Sequence, residues 1–339
     1  MELTGKQATT IAVCAAFIVA GILTIAAVLD DEEGTTSTGQ VTVENRDSMA
    51  MAGDEVVKDS FIINEPLDTD PYKELDELIG LKQVKEEVRT LANFVKVQRM
   101  REEKGMKVPK MSYHLVFTGS PGTGKTTVAR IVARIYKDLG ILKKGHTVET
   151  DRSGLVAEYV GQTAMKTNAI IDSALNGVLF IDEAYALVPE DSHNDFGQEA
   201  ISTLLKRMED DRDKLVVIIA GYTDEMQRFI DSNPGLQSRF NHYSKFPDYS
   251  AEELYQIFQT YLKANEYTMT EEASDYLKKQ LKTVVANKDR NFGNARYVRN
   301  LFEKAIEHQA NRIAHHKTAT KETLSSLELV DIKKALNQK

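Results

Sequence analysis

Residues 113–127, YHLVFTGSPGTGKTT, constrain this chain more than any other stretch. Leu115, Val116 and Phe117 read as a buried strand. Residues 126–137 repeat apolar side chains with a helical period, which puts Val128, Ile131, Val132 and Ile135 on one face. Between them stands Gly119-Ser120-Pro121-Gly122-Thr123-Gly124-Lys125-Thr126, the spacing G-x-x-x-x-G-K-[ST] of a phosphate-binding loop. Strand, glycine-rich turn and helix in that order aim backbone N–H groups and a helix N-terminus at a polyphosphate. The glycines let the backbone close on the phosphate oxygens, because no Cβ intervenes. The expected ligand is ATP, held along Gly119 to Thr127. Lys125 would reach the β- and γ-phosphates, and the Thr126 hydroxyl would ligate Mg2+.

A second signature follows at Val178-Leu179-Phe180-Ile181-Asp182-Glu183. A buried strand here delivers two carboxylates at its C-terminal end, where ligands bind in open α/β sheets. Asp182 would complete the Mg2+ shell. Glu183 would orient and deprotonate an attacking water. Many strands end in acids at a turn, so the pair carries weight only together with the phosphate loop.

Apolar strands alternate with periodic helices from 115 to 246: LVF, a helix, TVET, a helix through Ser173, VLFID, a helix through Met208, LVVIIA and a helix through Ile230. That rhythm predicts an α/β domain, residues 71–247, with a parallel sheet covered on both faces. A long amphipathic helix is expected over 81–104. From Ser250 onward the pattern is helical throughout, predicting a small all-helical domain over 248–339.

The formal charge is −8, but it is unevenly placed. Between Asp30 and Asp70 lie twelve acidic residues against Arg46 and Lys58 alone. Residues 30–70 are therefore expected to be an acidic, disordered linker, and the remainder is near neutral. A near-neutral body lacks the basic surface of a dedicated nucleic-acid binder, so no nucleic-acid partner is expected. The single cysteine, Cys14, excludes an intrachain disulfide framework. No charge interrupts the chain between Lys6 and Asp30, and Thr10–Leu29 is almost wholly apolar. A helix of that length spans about 30 Å, enough for a bilayer core. A cleaved signal peptide is the competing reading, with a shorter apolar region and a small-residue cleavage site. The expectation is a short tail over 1–9 and a retained transmembrane helix over 10–29. It makes the membrane a partner through that helix, with a single pass and the ATP-dependent body in the cytoplasm.

With these residues in view, the chain resembles an AAA+ ATPase of the CbxX/CfqX family. The likeness is carried by LDELIGL (75–81), GSPGTGKTTVAR (119–130), LVAEYVGQTAMKT (155–167) and VLFIDEAYAL (178–187). It continues in DFGQEAISTLL (195–205), VVIIAGYTDEM (216–226), NPGLQSRF (233–240), FPDYS (246–250) and GNARYVRN (293–300). It implies the AAA+ fold, a P-loop α/β domain followed by a helical lid, and a homo-oligomeric ring, a hexamer. It also implies further site residues. Ile79-Gly80-Leu81 would pack against adenine. Thr223, or its neighbour Tyr222, would be the sensor-1 polar residue near the γ-phosphate. Arg239 would be an arginine finger completing a neighbouring subunit's site, and Arg296 the sensor-2 arginine. Tyr159-Val160-Gly161 would form a pore loop gripping a polypeptide, with a second pore loop at 191–195. The expected function is ATP hydrolysis coupled to remodelling or threading a protein client. A nucleic-acid-directed motor and a tethered nucleotide switch remain as alternatives; Glu183 argues against the switch, which has no need of a placed base.

Overall fold

The computed structural model describes residues 61–109, 111–159, 161–189, 196–314 and 320–337. These fall into two compact units. One is the chain up to Ile257 together with Lys278–Leu301; the other is Phe258–Leu277 together with the chain from Phe302 onward.

The first unit is built on a six-stranded sheet: β1 (Ile62–Asn64), β2 (Leu115–Thr118), β3 (Thr147–Thr150), β4 (Gly177–Ile181), β5 (Leu215–Gly221) and β6 (His242–Lys245). Their order across the sheet is β1-β3-β4-β5-β2-β6. Every pairing is parallel except β1 with β3. All residues of β4 and β5 are buried, as expected of central strands covered on both faces. Parallel pairing aligns the strand ends. Thr118 lies opposite Gly221 and Ile181 opposite Ile219, so β2, β4 and β5 discharge their chains at one edge.

Helices α1 (Pro71–Glu77), α2 (Lys82–Glu103), α3 (Lys125–Asp138), α4 (Arg152–Leu155) and α5 (Thr163–Ala174) precede a 3-10 turn at Ala184–Leu187. After it come α6 (Gly197–Asp210), α7 (Thr223–Asp231) and α8 (Pro234–Arg239). Asp70 caps α1 by accepting from the Tyr72 and Lys73 amides, with Pro71 at the first helical position. Asn233 and Pro234 start α8 in the same way. The apolar face predicted for α3 is the buried one: Val128, Ile131, Val132 and Ile135 are at most 1% exposed.

Two expectations are corrected here. The acidic linker was to run unstructured to Asp70, yet Ile62–Asn64 pair with β3. Asn64 Nδ2 also donates to Glu149 Oε1 at 2.7 Å. Local composition could not reveal this, because the partner is an open sheet edge 83 to 87 residues further on. The C-terminal region was to be all-helical. Its helices α9 (Ala251–Ala264), α10 (Glu271–Ala286), α11 (Ala295–Ile313), α12 (Lys321–Ser325) and α13 (Leu329–Asn337) are present. With them stands a small parallel pair, β7 (Thr268–Met269) and β8 (Ser326–Leu327). Two-residue strands carry too little alternation to be read from sequence. The second unit packs around Phe302, which meets Phe258 and Tyr267 edge-on and stacks with Tyr261 at 5.6 Å. Arg312 binds the buried Asp331 carboxylate at 2.9 Å.

The membrane localisation is also corrected. Among the described residues no helix is long and apolar enough to cross a membrane. The segment that carried the expectation, 10–29, lies outside the described residues.

Candidate functional site

The phosphate loop joins β2 to α3, and its conformation requires glycine at two points. Gly119 has φ 151°, and a Cβ there would stand 2.3 Å from the Phe246 carbonyl oxygen. Gly122 has φ 70°, and a Cβ there would stand 2.2 Å from the Gly293 carbonyl oxygen. Both distances are far inside van der Waals contact, so the loop is closed on its neighbours by absent side chains.

Lys125 opens α3 and is buried, only 8% exposed. Its Nζ donates to the carbonyl oxygens of Gly119 (2.8 Å) and Ser120 (2.9 Å), which holds the ammonium over the loop. Asp182 and Glu183 leave β4 at the sheet edge described above, both half-buried. The Glu183 amide donates to Asp182 Oδ1 at 3.1 Å, and Glu183 takes a left-handed conformation, φ 50°. The four charged groups are electrically coupled. Burial pulls the Lys125 ammonium below the ordinary lysine range; Asp182 and Glu183 oppose that pull and Arg296 adds to it. Burial pushes the Glu183 carboxyl up, and Asp182 pushes it further, while Lys125 and Arg296 hold it down. The fold thus brings together Lys125, Asp182, Glu183 and Arg296, which the sequence spreads over 172 positions.

Arg296 arrives through a connection that the sequence did not single out. Asn294 is fully buried with φ 47°, a left-handed position that asparagine tolerates better than most residues. Its Nδ2 donates to the Asp248 carboxylate (2.9 Å) and to the Phe292 (3.0 Å) and Pro121 (3.3 Å) carbonyls. Its Oδ1 accepts from the Tyr249 amide at 3.0 Å. Beside it the Ala295 amide donates to the Gly122 carbonyl at 3.1 Å, and Tyr249 Oη donates to the Thr123 carbonyl at 3.2 Å. Burial works against ionisation of Asp248, but hydrogen bonds from Lys288, Asn294 and Ser120 prevail and hold its carboxyl below the usual range. Asn294 and Asp248 are therefore site residues. The string GNAR was the available signal, but which of its members was buried was not.

Leu81 Cδ1 lies 3.4 Å from where a Cβ on Gly124 would stand, and Gly80 abuts Tyr249 and Glu253. Residues 80–81 thus border the start of α3, beside the phosphate loop. Thr223 is exposed at the start of α7, directly after β5. Tyr222 faces the Tyr185 ring at 6.4 Å, with the Arg290 guanidinium 5.6 Å from its own ring centre. Gly221, which ends β5, accepts from the Gly119 amide at 3.0 Å, tying this corner to the phosphate loop. Thr126 is half-buried and Thr127 exposed at the first turn of α3.

Two predicted residues stand apart from this cluster. Arg239 ends α8, and its guanidinium contacts Gly235, Ser238 and Glu209, none of them in the phosphate loop. Tyr159 is 67% exposed, and among the described residues beyond its own chain neighbours no heavy atom lies within 4 Å of a Cβ built on Gly161. Val160 and the second pore loop, 191–195, lie outside the described residues.

The hydroxyl of Thr126 and the carboxylate of Asp182 are hard oxygen donors suited to Mg2+, an ion that fills its shell with waters and substrate phosphates rather than a protein cage. Among the described residues no group of three or more His, Cys, Asp and Glu forms such a cage. Lys125 supplies a cation for phosphate oxygens, and Glu183 a carboxylate whose raised basicity suits proton abstraction.

The chain matches two family models: "ATPase family associated with various cellular activities (AAA)" over residues 115–248 and "AAA lid domain" over 250–339. It is 45% identical over 265 residues to the ribulose bisphosphate carboxylase/oxygenase activase of Cyanidioschyzon merolae (strain NIES-3377 / 10D), covering 76% of this chain and 88% of that protein. It is 47% identical over 242 residues to protein CbbX of Cereibacter sphaeroides, covering 71% and 78%. Among solved structures, the FIGL-1 AAA domain in complex with ADP superposes with a TM-score of 0.57 at 18% identity, covering 85% of this chain and 91% of that one, which shows a shared fold.

Proposed function

The chain belongs to the CbxX/CfqX family of AAA+ ATPases, and on that footing we propose that its ATP hydrolysis remodels a protein client from within a homo-oligomeric ring, a hexamer. The observation that carries the reading is the grouping of Lys125, Asp182, Glu183 and Arg296 around the phosphate loop, with Arg239 held elsewhere.

Lys125 binds the β- and γ-phosphate oxygens, exchanging the two loop carbonyls for a stronger anionic partner. Thr126 and Asp182 would hold Mg2+, which would supply charge neutralisation for the phosphate oxygens. Gly80 and Leu81 border the adenine. Glu183 takes the proton of the attacking water. The half-buried carboxylate is a better base than an exposed one, because burial disfavours its charged form. Arg296 and the Thr223/Tyr222 corner adjoin the γ-phosphate side of the site and register its loss. Arg239 reaches the corresponding site of the next subunit, where a guanidinium stabilises charge on the transferring phosphoryl group. Exposed Tyr159, beside the unhindered Gly161, grips client polypeptide in the central channel. A protein client fits the near-neutral body of the chain, and one relative is an activase of ribulose bisphosphate carboxylase/oxygenase.

The test is Glu183→Gln in the full chain. It should retain ATP, lose turnover by about 10²–10⁴-fold and sediment as a ring with ATP. Unchanged turnover overturns the assignment of the base. A monomer at every nucleotide condition overturns the ring. Tight, salt-dependent DNA binding would move the client from protein to nucleic acid.

A further inference from the structure

Arg239 is held in two contrasting ways. Its guanidinium is loosely tethered: Nη1 lies 3.3 Å from the Gly235 carbonyl and 3.4 Å from Ser238 Oγ, and Nη2 3.9 Å from Glu209. Its Nε is buried and has no hydrogen-bond partner among the described residues. These contacts lie at or beyond the long end of the hydrogen-bond range. The backbone, by contrast, is clamped. Ser112 Oγ donates to the Arg239 carbonyl at 2.6 Å. The next residue, Phe240, is 1% exposed, its amide donates to Leu236, and its ring packs against His114 at 5.9 Å. His114 is itself fixed, accepting the Val217 amide at Nδ1 (2.9 Å), and burial, with the charge of Arg239, pushes its pKa down to about 4. It is therefore neutral under ordinary conditions and adds no competing charge beside the arginine.

The clamp belongs to the strand that makes the phosphate loop. Ser112 and His114 lie in the segment that enters β2, whose other end, Thr118, runs into Gly119. Two residues beyond Phe240, His242 opens β6, which pairs with β2 from Leu115 to Thr118. One short strand thus holds the phosphate loop at one end and the Arg239 backbone at the other.

We propose that Ser112 is a positioning residue for Arg239, fixing its backbone to the segment that enters β2 so that the strand leading to one subunit's phosphate loop sets the guanidinium that serves the next subunit. The proposal rests on the reading of Arg239 as acting across a subunit interface. A clamped backbone with a loosely tethered guanidinium is the arrangement that such a reach requires, since fixing the Cα lowers the orientational cost at the neighbouring site. Ser112 touches no substrate, so its effect belongs to the neighbour's turnover and not to its own subunit's nucleotide affinity.

Rings mixed from wild-type subunits and hydrolysis-dead Glu183→Gln subunits provide the test, because the dead subunits still bind ATP and still present Arg239. Three dopants are compared at equal ratios: Glu183→Gln alone, with Ser112→Ala, and with Arg239→Ala. The expected result is that the Arg239→Ala dopant depresses wild-type turnover most. The Ser112→Ala dopant should slow each wild-type site that it adjoins about three- to tenfold relative to a Glu183→Gln neighbour, the range for one lost neutral hydrogen bond. Ser112→Thr, which keeps the hydroxyl, should behave as Glu183→Gln alone. In uniform rings Ser112→Ala should lower kcat with KM for ATP within about twofold. If the Ser112→Ala dopant matches Glu183→Gln while the Arg239→Ala dopant does not, the positioning role is wrong and the finger stands. If the Arg239→Ala dopant has no effect either, the finger falls and the positioning role with it. A raised KM with a lowered melting temperature in the uniform Ser112→Ala ring would make the serine merely structural.

Discussion

Glu183 and Lys125 show how one position can be fitted for chemistry by its surroundings. A carboxylate and an ammonium, both partly removed from water, each displace the other's protonation while Asp182 and Arg296 act from either side. The sign is definite for Glu183: its carboxyl is raised, and a base works only when unprotonated. Turnover therefore falls on acidification through a value above the ordinary glutamate range. In kcat/KM for ATP measured from pH 4 to 9, the acid limb should have its midpoint there, and Glu183→Gln should remove the limb along with the activity. A limb at the usual carboxylate value would mean that burial does not tune this group. Asn294 is a second residue whose worth depends on place. Its three donated bonds and one accepted bond are made without solvent. Asn294→Asp removes the donors and sets a second carboxylate against Asp248. It should cost about 3 kcal/mol or more in chemical denaturation and raise KM for ATP, since the Pro121 tether goes with it.

Among elements, the phosphate loop and the segment 292–296 behave as one. Gly122 leaves no space for a methyl group against the Gly293 carbonyl, and its own carbonyl accepts the Ala295 amide. Gly122→Ala must displace one segment or the other and also strains a backbone at positive φ. The expected outcome is loss of detectable ATP binding by calorimetry with the far-UV spectrum unchanged. Retained affinity would show that the two segments part freely. The strand–loop–helix at 115–138 was readable because its signals are local: apolar period, glycine spacing and a lysine at the helix start. Strand β1 and the pair β7–β8 were not, because each is short and is defined by a distant partner. The same holds for Ser112 and His114, ordinary residues in sequence that acquire a role only when α8 ends against them.

For the whole molecule, the separation of Arg239 from the remaining charged site residues argues for an active site shared between copies. Arg239→Ala should reduce turnover by about 10³-fold or more while leaving ATP affinity of the isolated subunit unchanged, checked by nucleotide titration and steady-state hydrolysis. An equal loss of affinity would bring Arg239 into its own subunit's site. Tyr159, being 67% exposed, can be removed with little effect on packing. Tyr159→Ala should hold client-free ATP turnover and thermal stability near wild type and lose any stimulation by client protein. Equal stimulation in both would exclude the loop from client contact.

By itself the sequence determined the chemistry on offer and the two places it starts from, the loop 119–127 and the strand end at Asp182-Glu183. Those properties are written in consecutive residues, whose spacing dictates helix, strand and turn. Tertiary structure alone decided which charges meet, that Asn294 and Asp248 join them, and that Arg239 does not. It also withdrew the membrane localisation from the described chain, where no helix is long and apolar enough. Local spacing encodes local geometry, whereas coupling between Lys125 and Glu183 depends on how parallel strands register across the sheet, and Arg296 joins them only because the segment 292–296 packs on the phosphate loop.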